Sequence, residues 1–429
     1  MKYFRLAAAG SLLAGAALAV PLLVAPGSVP RAHADGVTTE AVFNNPVGTA
    51  DQQRAIVNRI IQLIDGAPAG SRIRMSTYYA DDPAIPTALV DAKNRGVNVQ
   101  VIFDHKEASD SAKTAVYNQL ASGLGTNKSA GSWVMMCPTD RGCIGNRTLG
   151  TVKSINHTKF YLFSSTGGTP DVVVQSSANL HNGRDGTLGW NNALILAGND
   201  PIYQQYSGYF DDLAALRTNN NYYDTRTPLA SGDAKIHFFP RQETSGVSPY
   251  NDPSEDTMAT VLDHIDCFGN TTVGTSDNHR TIIRVNQNIF SRTYLASKLV
   301  ALDKAGCYVE VVENYERGAS DSQASVSLNT LLAKTSSAYH GVLVRYFCDN
   351  DTTWTHSKYL LVEGKYYGVA DRKIVWTGSA NWSTNSLRQA DETILQLEDS
   401  AVFAGYAANF AAARDNAPHQ PANGDAIAC

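Results

Sequence analysis

The chain has 429 residues, enough for two or three domains. Apolar residues make up 43% and charged residues 17%, which excludes a disordered, collagen-like or coiled-coil chain. The 35 Lys and Arg face 40 Asp and Glu; the first 34 residues hold three of the bases and no acid, leaving 32 against 40, or −8. A sequence-indifferent nucleic-acid binder draws its affinity from neutralised phosphates, so this balance argues against one, although a local basic pocket is compatible with it.

At the N-terminus, Lys2 and Arg5 precede an uncharged apolar run from Leu6 to about Ala25. Ala32-His33-Ala34 then supplies a small-x-small cleavage site, so residues 1–34 read as a signal peptide cut after Ala34 and the protein as secreted. The alternative is a retained anchor, because roughly 20 apolar residues can cross a bilayer. Pro21, Pro26 and the cleavage site favour the leader. All six cysteines lie beyond it, and an even count in an exported chain reads as disulfides. Cys137 and Cys143 bracket a short Pro/Gly loop and are expected to pair.

The rest is one unit of about 200 residues written twice, residues 35–217 and 236–429, with the polar segment 218–235 as linker. Each half opens on an aromatic strand, Val42–Asn44 and His237–Phe239. Amphipathic helices follow, Gln53–Asp65 and Thr257–Asp266, then strands Arg72–Ser76 and Thr281–Val285. Second helices, Ile85–Arg95 and Arg292–Lys304, both stop at a glycine, Gly96 and Gly306. Strands Val97–Phe103 and Tyr308–Val312, helices Lys113–Ser122 and Leu328–Lys334, and strands ending in Cys137 and Cys348 complete the correspondence. Alternating strands and helices predict α/β halves with parallel or mixed sheets. Cys267 and Cys307 each end a helix on one sheet edge and could pair, leaving Cys348 and Cys429 to fasten the C-terminal tail.

The chemistry recurs in register. Half one reads His157-Thr158-Lys159, then Ser176-Ser177-Ala178-Asn179, then Asn191-Asn192-Ala193; half two reads His356-Ser357-Lys358, Gly378-Ser379-Ala380-Asn381 and Asp391-Glu392-Thr393. Residues i and i+2 of a strand share a face, so each His and its Lys point the same way. A turn of small residues lets backbone and hydroxyl donors approach an anion, and Asn adds an amide. Each half therefore offers half of a phosphate site, with Ser177, Asn179, Asn192, Ser379 and Asn381 as its substrate-binding donors. Two imidazoles facing one phosphorus would serve as nucleophile and general acid, and two lysines would hold the charge on the non-bridging oxygens. No metal or other cofactor is required, and no carboxylate or Cys/His cluster has the spacing for one.

The duplicated H-x-K and G-S-x-N pattern resembles the phospholipase D superfamily, and the exported, duplicated form resembles actinobacterial secreted phospholipases D. The resemblance implies two pseudo-twofold-related α/β sandwich domains with mixed sheets, one active site at their interface, and a phosphohistidine intermediate resolved by water or an alcohol. Its catalytic residues would be His157, Lys159, His356, Lys358 and Glu392. The sequence departs from the family at Ser164 and Glu363, where the motif has Asp, at Ser176, where the small turn has Gly, and at Asn192, taken as the counterpart of Glu392. If each acidic position contacts the histidine of its own half, Glu392 sits by His356 and Asn192 by His157. That would make His356 the general acid and His157 the nucleophile.

These readings lead to a secreted phospholipase D acting on phosphatidylcholine-like lipids at membrane or vesicle surfaces. One chain supplies both half-sites, so a monomer with no obligate protein partner suffices. A metal-independent nuclease of the same superfamily is the alternative, with Arg141, Arg147 and Lys153 as its basic cluster; a non-catalytic lipid-binding relative is another. Trp133, Trp190, Trp354 and Trp382 serve either the core or an apolar rim. His181 and His264 lie outside the motifs and read as structural or surface residues.

Overall fold

The computed structural model describes residues 36–226, 228–244, 255–315, 322–334, 339 and 341–429. The expected leader and its cleavage site lie outside them. Among the described residues no helix is long and apolar enough to cross a membrane. Gly36–Cys429 forms one compact unit.

The two repeats become two mixed sheets of the same design. In the first, the strand order is Glu40–Asn44, Asn191–Leu196, Thr169–Ser176, Lys159–Thr166, Arg72–Thr77, Asn98–Phe103, Trp133–Met136. The first five run antiparallel to their neighbours and the last two join in parallel. The second sheet repeats this with Ala234–Phe238, Thr393–Glu398, Val369–Gly378, Lys358–Tyr366, Ile282–Gln287, Tyr308–Tyr315 and Leu343–Cys348, and Leu229–Ser231 adds a further edge strand. The segment read as a linker is therefore structured, with a short helix, Tyr222–Thr225, and the strands that open the second sheet.

Burial explains why the motif strands read as continuous apolar runs instead of alternating ones. Phe160 and Leu162, with Tyr359 and Leu361 of the other half, face a core shared by both sheets and by the helices Asp200–Ala214 and Ser400–Asn416. Tyr161 and Phe163 face the outer core under the first-half helices, and Leu360 and Val362 its counterpart in the second half. The sheets thus share one apolar layer, and the two motif strands lie on either side of it. The expected glycine stops are present: helices Ala84–Asn94 and Thr293–Lys304 end just before Gly96 and Gly306, whose φ of 94° and 107° disfavour a side chain.

All six cysteines are paired, as Cys137–Cys143, Cys267–Cys307 and Cys348–Cys429. The second is the pair expected from the repeat, with Cys307 after helix Thr293–Lys304 as expected but Cys267 after the short strand Ile265–Asp266 instead of a helix, and the third ties the C-terminus to the end of strand Leu343–Cys348.

Candidate active site

Two parallel bridges stitch the motif segments across the repeats, Asn156 with Asp391 and Trp190 with Thr355. The His157 N–H donates to the Asp391 carbonyl at 3.0 Å, and the His356 N–H to the Trp190 carbonyl at 2.9 Å. Each histidine is therefore held by the other repeat, and both line one cavity of about 510 Å³. Asn179, Asn381, Tyr78, Asp185, Trp354 and Ile289 also line it.

The side-chain contacts cross in the same way, which corrects the expected pairing. His157 Nδ1 lies 2.7 Å from Glu392 Oε1, and His356 Nδ1 lies 3.1 Å from Asn191 Oδ1. The aligned position is also shifted by one. Ser177 N donates to the Asn192 carbonyl as Ser379 N does to that of Thr393, so Asn191, not Asn192, is the counterpart of Glu392. Asn192 instead points into the core between the sheets, donating to Thr377 Oγ1 at 2.6 Å and to the Tyr406 hydroxyl at 3.1 Å. It is not a substrate ligand.

A carboxylate only accepts, so Glu392 places the hydrogen of His157 on Nδ1 and leaves Nε2 with its lone pair. Asn191 does the same for His356. Its Nδ2 donates to the Gly186 carbonyl at 2.8 Å, which orients Oδ1 toward the ring and the Ser177 hydroxyl. The Ser177 and Ser379 hydroxyls are taken up in holding their turns, against Asn192 N and Thr393 N. Both are fully buried and off the cavity wall, as the two motif lysines are. Asn179 and Asn381 stay on the wall as expected. The Asn381 side-chain Oδ1 accepts from Ile289 N at 3.4 Å, leaving Nδ2 for a ligand.

The lysines lie behind the imidazoles. Lys159 Nζ donates to the His157 carbonyl at 2.8 Å and Lys358 Nζ to that of His356 at 2.6 Å. Burial pulls the Lys159 ammonium down to about 7 against the attraction of Glu392 and Asp104. Lys358 is lowered well below its usual value, by burial first and then by repulsion from Lys159. The imidazoles are held neutral: burial lowers His157 to about 4 although Glu392 opposes it, and lowers His356 well below its ordinary value, with both lysines adding to the effect. A buried centre whose cations are all disfavoured is one that gains by receiving an anion.

Sequence reasoning missed Asn191, because it depends on a one-residue register, and Asp104, whose Oδ2 accepts from Asn156 N at 2.7 Å beside His157. It also missed Asp185. Of the four tryptophans, Trp354 joins the cavity wall while Trp133, Trp190 and Trp382 are core. The departures at Ser164 and Glu363 are remote from the site. Each sits five residues along its strand from the lysine, about 16 Å. There Ser164 Oγ accepts from Arg72 N and Glu363 faces Arg284. Among the described residues, one Cys/His group has metal-like spacing, Cys348, His419 and Cys429, and its two sulfurs are joined in a disulfide.

The chain matches the family described as "Cardiolipin synthase, PLD-like domain" over residues 60–214 and 277–414. Among solved structures it is similar to phosphatidylserine synthase from Haemophilus influenzae Rd KW20, at 14% identity and a TM-score of 0.55, over 89% of this chain and 88% of that one. It is also similar to polyphosphate kinase from Porphyromonas gingivalis, at 14% identity and a TM-score of 0.52, over 87% of this chain. It spans 50% of that kinase's length. No curated protein matches it. With its sequence match covering both repeats and its paired His-x-Lys segments meeting in one cavity, the chain belongs to the phospholipase D superfamily of phosphodiesterases and phosphotransferases.

Proposed function

We propose that this protein is a secreted phospholipase D that hydrolyses the distal phosphodiester of phosphatidylcholine-like lipids. The observation that carries the reading is the pair of neutral imidazoles on one cavity wall, each backed by a buried lysine. His157 Nε2 attacks phosphorus, forming the P–N bond as the P–O bond to the head-group alcohol breaks. His356, protonated in the complex, gives its proton to the leaving oxygen. His356 then takes a proton from water, whose oxygen displaces His157 and releases phosphatidate; an alcohol in place of water gives transphosphatidylation. The crossed contacts remove the expected ground for these roles, a carboxylate at His356, and leave the charge that develops during attack as their support. An attacking imidazole becomes cationic when it bonds phosphorus, and Glu392 stabilises that charge at His157. The neutral Asn191 does not stabilise an imidazolium, which makes His356 the stronger acid. Lys159, Lys358, Asn179 and Asn381 hold the non-bridging oxygens.

Lipid is favoured over nucleic acid by the net charge of −8 beyond residue 34. The basic cluster is also partly spent: Arg147 pairs with Glu243 at 2.8 Å and Arg141 donates to Thr218 at 2.7 Å. The leader-like N-terminus and three disulfides support export to act on lipid surfaces. The test incubates purified protein in chelator with phosphatidylcholine vesicles and, separately, with plasmid. Choline release without nicking is expected; nicking alone would make the protein a nuclease, and neither would make it a binding relative.

A further inference from the structure

The loop Leu180–Gly189 joins the small-residue turn of half one to the strand carrying Asn191, and it brings one carboxylate to the cavity, Asp185. That carboxylate is built in place. It accepts from the Tyr79 hydroxyl and from Asn179 Nδ2 at 3.0 Å, and its other oxygen lies 3.4 Å from His181 Nε2. His181 is anchored in turn at 2.5 Å to Asp81. The loop backbone closes tightly, with Asn179 N on the Asp185 carbonyl and Thr187 N on that of His181. A side chain at Gly186 would stand 1.9 Å from the His181 carbonyl oxygen. The Asp185 side chain nevertheless keeps 27% of its surface open.

The loop lies against the segment that carries His356. The Arg184 guanidinium sits 5.5 Å from the Trp354 ring centroid, and Arg184 Nη1 donates to the Asp349 carbonyl at 2.7 Å. These two contacts tie the loop that carries Asp185 to the segment leading into His356, and so place Asp185 on that side of the cavity. If His157 attacks, in-line displacement sends the leaving alcohol to that side. Once the phosphate has taken up the lysine charges, Asp185 is the carboxylate there that faces the leaving group, beside the Trp354 wall.

We propose that Asp185 is the specificity-determining residue for the leaving alcohol, selecting phosphodiesters whose alcohol carries an ammonium group. The assignment rests on the phospholipase reading and on the roles of His157 and His356 given above. Its alternative is that Asp185 only positions Asn179, which would affect all substrates alike. The two are separated by isosteres: phosphatidylcholine and the phosphatidyl ester of 3,3-dimethylbutanol, in which carbon replaces the quaternary nitrogen. Both are diluted equally into the same neutral detergent micelles.

In the wild type kcat/KM should favour the choline ester. In Asp185→Asn the choline-to-carbon ratio should fall about tenfold, whereas Asp185→Glu should retain most of it. Near-UV circular dichroism checks that both variants fold. Equal losses on the two esters, or an unchanged ratio, would overturn the assignment. If the wild type cleaves bis(4-nitrophenyl) phosphate but neither lipid, the phospholipase reading fails and the head-group assignment fails with it.

Discussion

His157 Nδ1 and Glu392 Oε1 stand 2.7 Å apart across 235 positions of sequence, so the acid of one repeat serves the imidazole of the other. Neither repeat contains a finished half-site. The arrangement resembles a hydrolase triad, in which a carboxylate fixes the tautomer and stabilises the imidazolium that develops. Glu392→Gln should therefore lower kcat by about a hundredfold or more and leave KM nearly unchanged, as single-turnover kinetics would show. A loss confined to KM would mean the carboxylate serves only substrate binding.

Asn191 allows the complementary experiment. A carboxylate beside His356 would raise the pKa of that imidazole from its depressed value, increasing its protonated fraction at neutral pH. Asn191→Asp should raise kcat/KM at pH 7 for esters whose leaving alcohol needs a proton, by up to about tenfold per unit of upward shift. It should not help a nitrophenyl diester, whose leaving group needs none. Acceleration of both substrates alike would show that the new charge acts elsewhere than on His356.

How much of this was legible in the sequence depends on the range of the interaction. His157, Lys159 and Asn179, with their second-half equivalents, were readable because each set occupies one strand and one turn, where local spacing determines position. The crossed contacts were not, since backbone bridges such as Asn156–Asp391 arise only when the sheets pack. The confusion of Asn192 with Asn191 has a related cause. A slip of one residue on a strand turns the side chain that holds the His356 imidazole into one that faces the core between the sheets, and both are asparagines. Asp185 gave no local signal, because its role comes from where an irregular loop folds back.

The buried ammonium groups make a prediction about protons. Lys159 is lowered to about 7, so at pH 8 it is mostly neutral in the free site, and burial lowers Lys358 as well. An incoming anion restores the ammonium forms, so binding of inorganic phosphate at pH 8 should take up about one proton or more. Titration calorimetry in buffers of different ionisation enthalpy measures this directly, and no uptake would mean that the lysines are charged before the anion arrives. The same titration predicts that kcat/KM for a nitrophenyl diester falls as pH rises through about 7. Lys159→Ala and Lys358→Ala should each lower kcat by about a hundredfold or more, with no rescue by Arg, whose planar fork is a different shape. EDTA should leave activity intact; loss in chelator restored by calcium or zinc would refute the proposed metal-free chemistry.

Asp391 links stability to the site. Its carboxylate accepts from the N–H groups of Cys143 and Gly145 at 2.7 Å and of Ile144 at 3.1 Å, clasping the Cys137–Cys143 loop of the other repeat. Asp391→Ala leaves three buried donors without that acceptor and should cost about 2–5 kcal/mol by denaturant titration. Removing the disulfide with Cys137→Ala/Cys143→Ala loosens the same loop, so the two changes should be less than additive by about 1 kcal/mol. Strict additivity would mean that carboxylate and disulfide stabilise independent parts of the fold.

The last prediction separates the two imidazoles by trapping the intermediate. If His157 is the nucleophile and His356 the acid, a substrate that needs no leaving-group proton should bypass His356 in the first step only. With a nitrophenyl phosphodiester, His356→Ala should release one equivalent of nitrophenol and then stall, since His356 is also the base that activates water. The enzyme should carry the phosphoryl group on His157, identified by mass spectrometry under alkaline handling that preserves the P–N bond. His157→Ala should give neither burst nor adduct. Glu392→Gln should give a slow burst on the same residue, because Glu392 stabilises the cationic imidazole as the P–N bond forms. An adduct on His356 in the His157→Ala protein would reverse the assignment. Asn191 would then be the partner of the nucleophile and Glu392 that of the acid, and the stabilised imidazolium at His157 would be the proton donor instead of the product of attack.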